Sequence, residues 1–234
     1  MKSFLGAMPA KGYGLMRGLC NGLTALLLLV GTAQAEPVAI VALGDSLTAG
    51  YGLEDQAEGL VPELERWLTA KGHEVAIQNA GVSGDTTAGG LARVAWAIGP
   101  DADALMVILG GNDMMRGIDP AEAKKNLDGI LKEAAARQLP VLLVAMKAPG
   151  NFGADYKVAF DGMYAELASQ YGAVLADDFF AGLVAAGADP SDPASMAAYM
   201  QADGIHPSPE GVKLIVAGLG PKVEELLAKV APAP

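Results

Sequence analysis

Ser46 stands in "VALGDSLT", where an apolar run passes directly into Gly-Asp-Ser-Leu. A serine hydroxyl is a weak nucleophile until a neighbouring base takes its proton, and histidine does this most often at neutral pH. The chain holds two histidines. His73, in "KGHEVAI", falls between a helix end and a strand start, at the opposite edge of a parallel sheet from the site-bearing loops. A cation beside a helix C-terminus suits it better than catalysis. His206, in "ADGIHPSPEG", follows Asp203 on a loop. A carboxylate so placed can accept the Nδ1 proton, fix the tautomer and stabilise the imidazolium that forms. Pro207 holds His206 out of the α region, and Pro209 opens a last helix with Ser208 as its cap. Taken alone, Asp-x-x-His is also how a loop histidine beside a capping aspartate reads.

Acyl transfer through Ser46 further needs donors preplaced where negative charge develops, each worth about 3 kcal/mol of barrier. The Ser46 backbone N–H is one. Gly84, in "VSGDT", can offer its N–H because no side chain blocks approach. Asn112, in "GGND", can offer its side-chain NH2. Singly, Gly84 and Gly111 also suit tight turns, and Asn112 a turn or cap. Asp45, Asp85 and Asp113 stand beside these blocks. With a single usable histidine, neither a catalytic metal nor a cofactor is expected, and loop carboxylates more often bond nearby backbone N–H groups.

These residues must be held at the ends of strands. "PVAIVALGD", "EVAIQNAG", "ALMVILGGND", "PVLLVAMKAP" and "GAVLADDFF" each carry a short, nearly continuous apolar run, as strands buried on both faces do. Amphipathic segments lie between them. Leu60, Leu64, Trp67 and Leu68 repeat at helical spacing up to Gly72; Leu91, Val94, Ala95 and Ile98 do so up to Gly99-Pro100. Another helix is predicted from about Pro120 to Arg137 behind an Asp119 cap. Alternation of this kind forces a parallel sheet with right-handed crossovers. The expected fold is a three-layer α/β/α sandwich of the flavodoxin-like type, with a five-stranded parallel sheet. Its site loops are those at the carboxyl ends of the strands. Among them, "APGNFGADY" is expected to line the acyl side of a pocket through Asn151 and Phe152, with Asp45, Leu47 and Ile205 also bordering substrate. The glycines of "AGVSGDTTAGG" suggest a loop able to close over it.

The ends and the charge bound the rest. Lys2, Lys11 and Arg17 precede the short apolar run "LTALLLLVG", and Ala33-Gln34-Ala35 is a small-x-small cleavage site. Residues 1–35 are read as a signal peptide, leaving 36–234 as a single exported domain, periplasmic or secreted, with no stable membrane span. The sole cysteine, Cys20, lies in that segment, so the mature chain has no thiol and no disulfide. The formal net charge is −11, and about −14 without the three signal-peptide cations. A surface this acidic argues against nucleic acid as a partner.

Read together, the four blocks resemble the GDSL family of SGNH hydrolases. "GDSL", "NAGVSGDT", "GGND" and "DGIHPSPEG" match its blocks in order. "SGDTTAGGLARV", "LGGNDMMRG", "NFGADYKVAF" and "MQADGIHP" are similar to its exported bacterial subgroup of acyl-CoA thioesterase I, arylesterase and lysophospholipase enzymes. The resemblance implies Ser46 as nucleophile, His206 as base and Asp203 as its partner, with Ser46, Gly84 and Asn112 as the oxyanion hole. It implies hydrolysis of a small-molecule or lipid ester or thioester through an acyl-enzyme, by a monomer. An α/β-hydrolase would want Gly-x-Ser-x-Gly, which Ser46-Leu47-Thr48 does not supply. A non-catalytic flavodoxin-like binding module, or an inactive homologue, is the alternative reading. Because acyl-CoA is highly anionic, uncharged or lipid-like esters are the expected substrates.

Overall fold

The computed structural model describes residues 36–190 and 192–230. The expected signal peptide, with Cys20 and the cleavage site after Ala35, lies outside the described residues. In chain order the elements are β1 (Val38–Gly44), α1 (Ser46–Ala49), α2 (Leu60–Ala70), β2 (Val75–Gly81), α3 (Thr87–Ala97), β3 (Ala104–Ile108), α4 (Gly111–Met115), α5 (Pro120–Ala136), β4 (Val141–Val144), α6 (Ala154–Tyr171), β5 (Val174–Ala176), α7 (Ala181–Ala185), α8 (Pro193–Met196) and α9 (Pro209–Leu227). The five strands pair in parallel in the order β2-β1-β3-β4-β5. This is the flavodoxin-like order, in which the chain direction reverses between β1 and β3 and a crevice opens at their carboxyl ends. Helices α2, α7 and α9 pack together, and α3 packs on α5 and α5 on α6, giving the three-layer α/β/α sandwich.

The central strands explain why the sheet is stiff. Every residue of β3 and β4 is buried, as is β1 from Ile40 onward. The Val, Ile and Leu runs there have no polar face to offer water. β2 departs from the expectation of a strand buried on both faces: only Ile77 is buried. Its position at the sheet edge is the cause, because one flank has no neighbouring strand.

Helix ends follow their sequence signals. Leu60, Leu64 and Leu68 turn one buried face of α2 to the core. Asp119 accepts from the Ala121 N–H at 2.9 Å with Pro120 next to it, and α5 begins there. Ser208 accepts from the Gly211 N–H at 3.2 Å and starts α9 behind Pro209. Thr86 caps α3, so Thr87, Gly89 and Gly90 belong to a helix and not to a closing loop. Gly90 is there for packing: a Cβ would come within 2.3 Å of the Leu109 side chain. Among the described residues, no helix is long and apolar enough to cross a membrane.

Candidate active site

Ser46 begins α1 directly beyond β1. The turn between them is tight, and a Cβ at Gly44 would lie 2.0 Å from Thr48 Oγ1. Asp45 caps the helix, its Oδ1 accepting the Leu47 N–H at 3.0 Å. The serine hydroxyl is thereby displayed at the mouth of the crevice. Its Oγ lies 2.8 Å from His206 Nε2, across 160 residues of sequence. Nδ1 of the same ring lies 2.6 Å from Asp203 Oδ2. An imidazole so held can take a hydroxyl proton on one nitrogen while its other N–H is fixed by a carboxylate.

The local fold explains the Asp-x-x-His spacing. Gly204 takes a φ of +69°, which turns the chain back on itself. Asp203 Oδ1 then accepts the backbone N–H of Ile205 at 2.9 Å and of His206 at 3.0 Å, leaving Oδ2 for the ring. The His206 backbone N–H above all, then its ring, then the Ile205 N–H, hold the Asp203 carboxyl down at about 2. It is a carboxylate at any working pH. The loop is strapped from outside as well. Gln201 N–H donates to the His206 carbonyl at 2.7 Å, and Gln201 Nε2 donates to the carbonyls of Tyr51 and Pro207. The Tyr51 ring leans on the imidazole, with centroids 4.7 Å apart.

Asn112 lies on the Ser46 side, the two lining one cavity. Asn112 is buried in α4, and its Nδ2 donates to Asp45 Oδ2 at 3.2 Å. One amide hydrogen is committed to that bond; the second is free to serve an oxyanion. Gly84 has a φ of +85°, a conformation that favours glycine, and its carbonyl accepts from Arg116 Nη2 at 2.8 Å. Asp45, expected to border substrate, does touch the cavity, yet both its oxygens bond inward. Burial pushes its carboxyl up to about 6, against the pull of the Leu47 N–H and the Asn112 amide. Asp113 is fully buried and accepts the N–H and the hydroxyl of Thr87 at 2.8 and 2.6 Å. It pins the start of α3 to α4. Asp85 pairs with Arg93 at 2.6 Å. The three aspartates are thus engaged separately, and no group of three metal-ligating side chains occurs among the described residues.

Arg93 was not expected at the site. It donates to the Gly44 carbonyl at 2.8 Å and the Ala80 carbonyl at 2.7 Å, besides meeting Asp85. One guanidinium therefore ties the ends of β1 and β2 together beneath Ser46 and Gly84. Its partners are mostly backbone carbonyls, which leave no pattern in a sequence. The only trace was an arginine on the helix following Asp85.

Beside Ser46 and Asn112 opens a cavity of about 220 Å³, walled by Leu47, Met114, Met115, Met146, Phe180 and Ile205. Leu47 and Ile205, expected to border substrate, are part of this wall. Asn151 and Phe152 are not in its wall. At Ala148, just before Pro149, the chain is held to α6, where Asp161 accepts the Ala148 N–H and Lys157 donates to the Ala148 carbonyl. The Phe152 ring rests instead near Tyr156, centroids 5.1 Å apart. Met146, from the end of the β4 segment, and Phe180 take the place expected for Asn151 and Phe152. His73 lies away from the site and meets Glu224 at 3.0 Å.

Known proteins share this layout. The model of the GDSL-like Lipase/Acylhydrolase family matches residues 42–214. Esterase TesA of Pseudomonas aeruginosa is 36% identical over 210 residues, covering 89% of this chain and 98% of that one. The thioesterase 1/protease 1/lysophospholipase L1 of Escherichia coli K12 is 30% identical over 203 residues, covering 86% and 90%. Among solved structures, AlinE4, an SGNH-hydrolase family esterase, superposes with a TM-score of 0.65 at 43% identity, over 86% of this chain and all 100% of that one. Blocks, fold and relatives agree: the chain belongs to the GDSL-like lipase/acylhydrolase family.

Proposed function

We propose that the chain is a serine esterase that works through Ser46, His206 and Asp203, with the Ser46 N–H, the Gly84 N–H and the Asn112 amide receiving the oxyanion. Serine hydrolase activity on esters or thioesters accords with the family and with relatives named esterase, thioesterase and arylesterase. The observation that carries the residue roles is the unbroken relay Ser46 Oγ, His206 Nε2, His206 Nδ1, Asp203 Oδ2, with spacings of 2.8 and 2.6 Å.

The chemistry runs in two halves. Ser46 Oγ bonds to the acyl carbon as its proton passes to His206 Nε2, and the carbonyl electrons move onto the oxygen held by the donors. The carbonyl re-forms, the bond to the leaving oxygen or sulfur breaks, and Nε2 returns its proton to that atom. Water then attacks the acyl-enzyme, giving a proton to Nε2, and collapse releases the acid while Ser46 Oγ is reprotonated. Asp203 stays ionised throughout and steadies the imidazolium.

Uncharged or lipid-like carboxylic esters are the better substrates within this class, ahead of acyl-CoA. The apolar cavity wall and the acidic chain support that choice. The chain is exported, cleaved after Ala35, and works as a single domain over 36–234. Its n-region, apolar run and Ala33-Gln34-Ala35 site support this.

The test is a p-nitrophenyl ester series on wild type and Ser46→Ala. A drop in kcat of about 10⁴- to 10⁶-fold is expected. Activity surviving in Ser46→Ala would overturn the serine mechanism. Acyl-CoA outcompeting a lysophospholipid of matched chain length would overturn the substrate choice.

A further inference from the structure

The cavity beside Ser46 does not stand alone. A second cavity, of about 280 Å³, is lined by Pro193, Met196, Ala197, Gln201 and Ala202. Met200 and Gly204 occur in the walls of both. Gly204 has no side chain, so among the described residues Met200 is the one residue with a side chain that is common to the two walls.

The Met200 backbone is fixed independently of that side chain. It forms an antiparallel bridge with Pro207, flanked by the bonds from Gln201 N–H to the His206 carbonyl and from Ser208 N–H to the Tyr199 carbonyl. None of these bonds needs a methionine. What methionine adds is an unbranched, adaptable apolar plug.

The direction of the two cavities assigns them to the acyl chain. A leaving group must sit where His206 Nε2 can protonate it. His206 lines neither cavity; it lines a narrow slot with Tyr51, Leu53 and Pro207, and Ser46 and Leu47 border both this slot and the first cavity. The space running from Ser46 past Asn112 toward Met200 is therefore acyl space.

We propose that Met200 is the partition that ends the acyl cavity, setting the longest chain accepted, and that the Met196-lined cavity is the space a longer chain enters when that partition is cut back. This rests on Ser46 being the acylated residue.

The experiment measures kcat/KM for p-nitrophenyl esters from acetate to palmitate and reads the ratio of each chain length to acetate. Met200→Ala is expected to move the optimum about two carbons longer. Each added methylene past the wild-type limit should gain about fourfold, as burial of a methylene implies. Met200→Leu, of similar volume, should keep the wild-type optimum. Adding Met196→Phe to Met200→Ala should refill the second cavity and return the optimum toward wild type. Met200→Phe should shorten it, which supplies the opposite shift even if the alanine variant folds poorly. Superimposable ratios for Met200→Ala, Met200→Phe and wild type would overturn the partition. So would a uniform fall at all lengths, or a gain that Met196→Phe leaves untouched. Failure of the serine reading is separate: it registers as residual activity in Ser46→Ala, whatever the chain-length profile.

Discussion

Ser46 and Asn112 rest on the sheet, whereas His206 rests on a loop that folds around its own aspartate. The first region is buried and cross-linked: Arg93 bonds the ends of β1 and β2, and Asp113 pins α3 to α4. The second is held mostly by bonds within a few residues, from Asp203 to its neighbours' N–H groups and from Gln201 to His206, with one distant strap from Gln201 Nε2 to the Tyr51 carbonyl. Their aspartates show the contrast. Asp203 is drawn down to about 2 by the N–H groups around it, while burial pushes Asp45 up to about 6. The side proposed to receive the oxyanion thus shares its supports with the core. The base side can be altered with little consequence for folding.

The sharpest way to break this comparison is at the base. His206→Ala should lower kcat by about 10⁴-fold or more, since a nucleophile without its base retains only the binding and oxyanion contributions. The melting temperature should stay within about 2 °C of wild type, as its loop is tied mainly through backbone groups. A large loss of stability would contradict the division drawn here. Asn112→Ala should cost less activity but more stability. Loss of one oxyanion donor predicts about 10²- to 10³-fold in kcat. Thermal unfolding should also shift, because the buried Asp45 Oδ2 loses the Asn112 amide donor.

The same division governs what the sequence disclosed. Ser46, Asp203, His206, Gly84 and Asn112 stood out as candidates because their chemistry admits few residue types, and the chain has only two histidines to choose between; the structure brings Ser46, His206 and Asp203 within hydrogen-bond range. β3 and β4 were legible because a strand covered on both faces must be apolar throughout. The exposure of β2 was not, since Val75, Ala76 and Ile77 read alike whether or not a further strand lies alongside. Nor was the cavity beside Ser46. Met146, Phe180 and Met200 come from three separate segments, and only the fold brings them together. Asn151 and Phe152 lie close to the β4 end in sequence, but a turn toward α6 carries them off.

Arg93 tests whether the oxyanion side is as dependent on the core as its contacts suggest. Arg93→Ala strands the Asp85 carboxylate and two strand-end carbonyls. It should cost about 3 kcal/mol, on the order of 6–12 °C in melting temperature for a domain of this size. Arg93→Lys should recover only part, since an ammonium cannot reproduce a guanidinium spread over three acceptors. Full recovery by lysine, read by thermal unfolding, would reduce Arg93 to a simple ion pair with Asp85.

The smallest effect concerns Asp45, and its sign is specific. A carboxyl whose folded pKa is raised holds its proton longer in the folded chain than in the unfolded one. As pH climbs from its ordinary value of 3.8 to about 6, the unfolded chain sheds that proton first, and stability falls. Above about 6 both states are ionised and the penalty is constant. Asp45→Asn removes the ionisation and keeps an oxygen for the Leu47 N–H, while its NH2 replaces the oxygen that accepts from Asn112, a cost that does not vary with pH. Its stability relative to wild type should therefore rise between pH 4 and about 6 and level off beyond. Denaturant unfolding of both proteins across that range measures the difference directly. A difference that stays flat with pH would mean that Asp45 meets no net cost in being charged, and that the sheet-borne half of the site holds its carboxylate as easily as the loop holds Asp203.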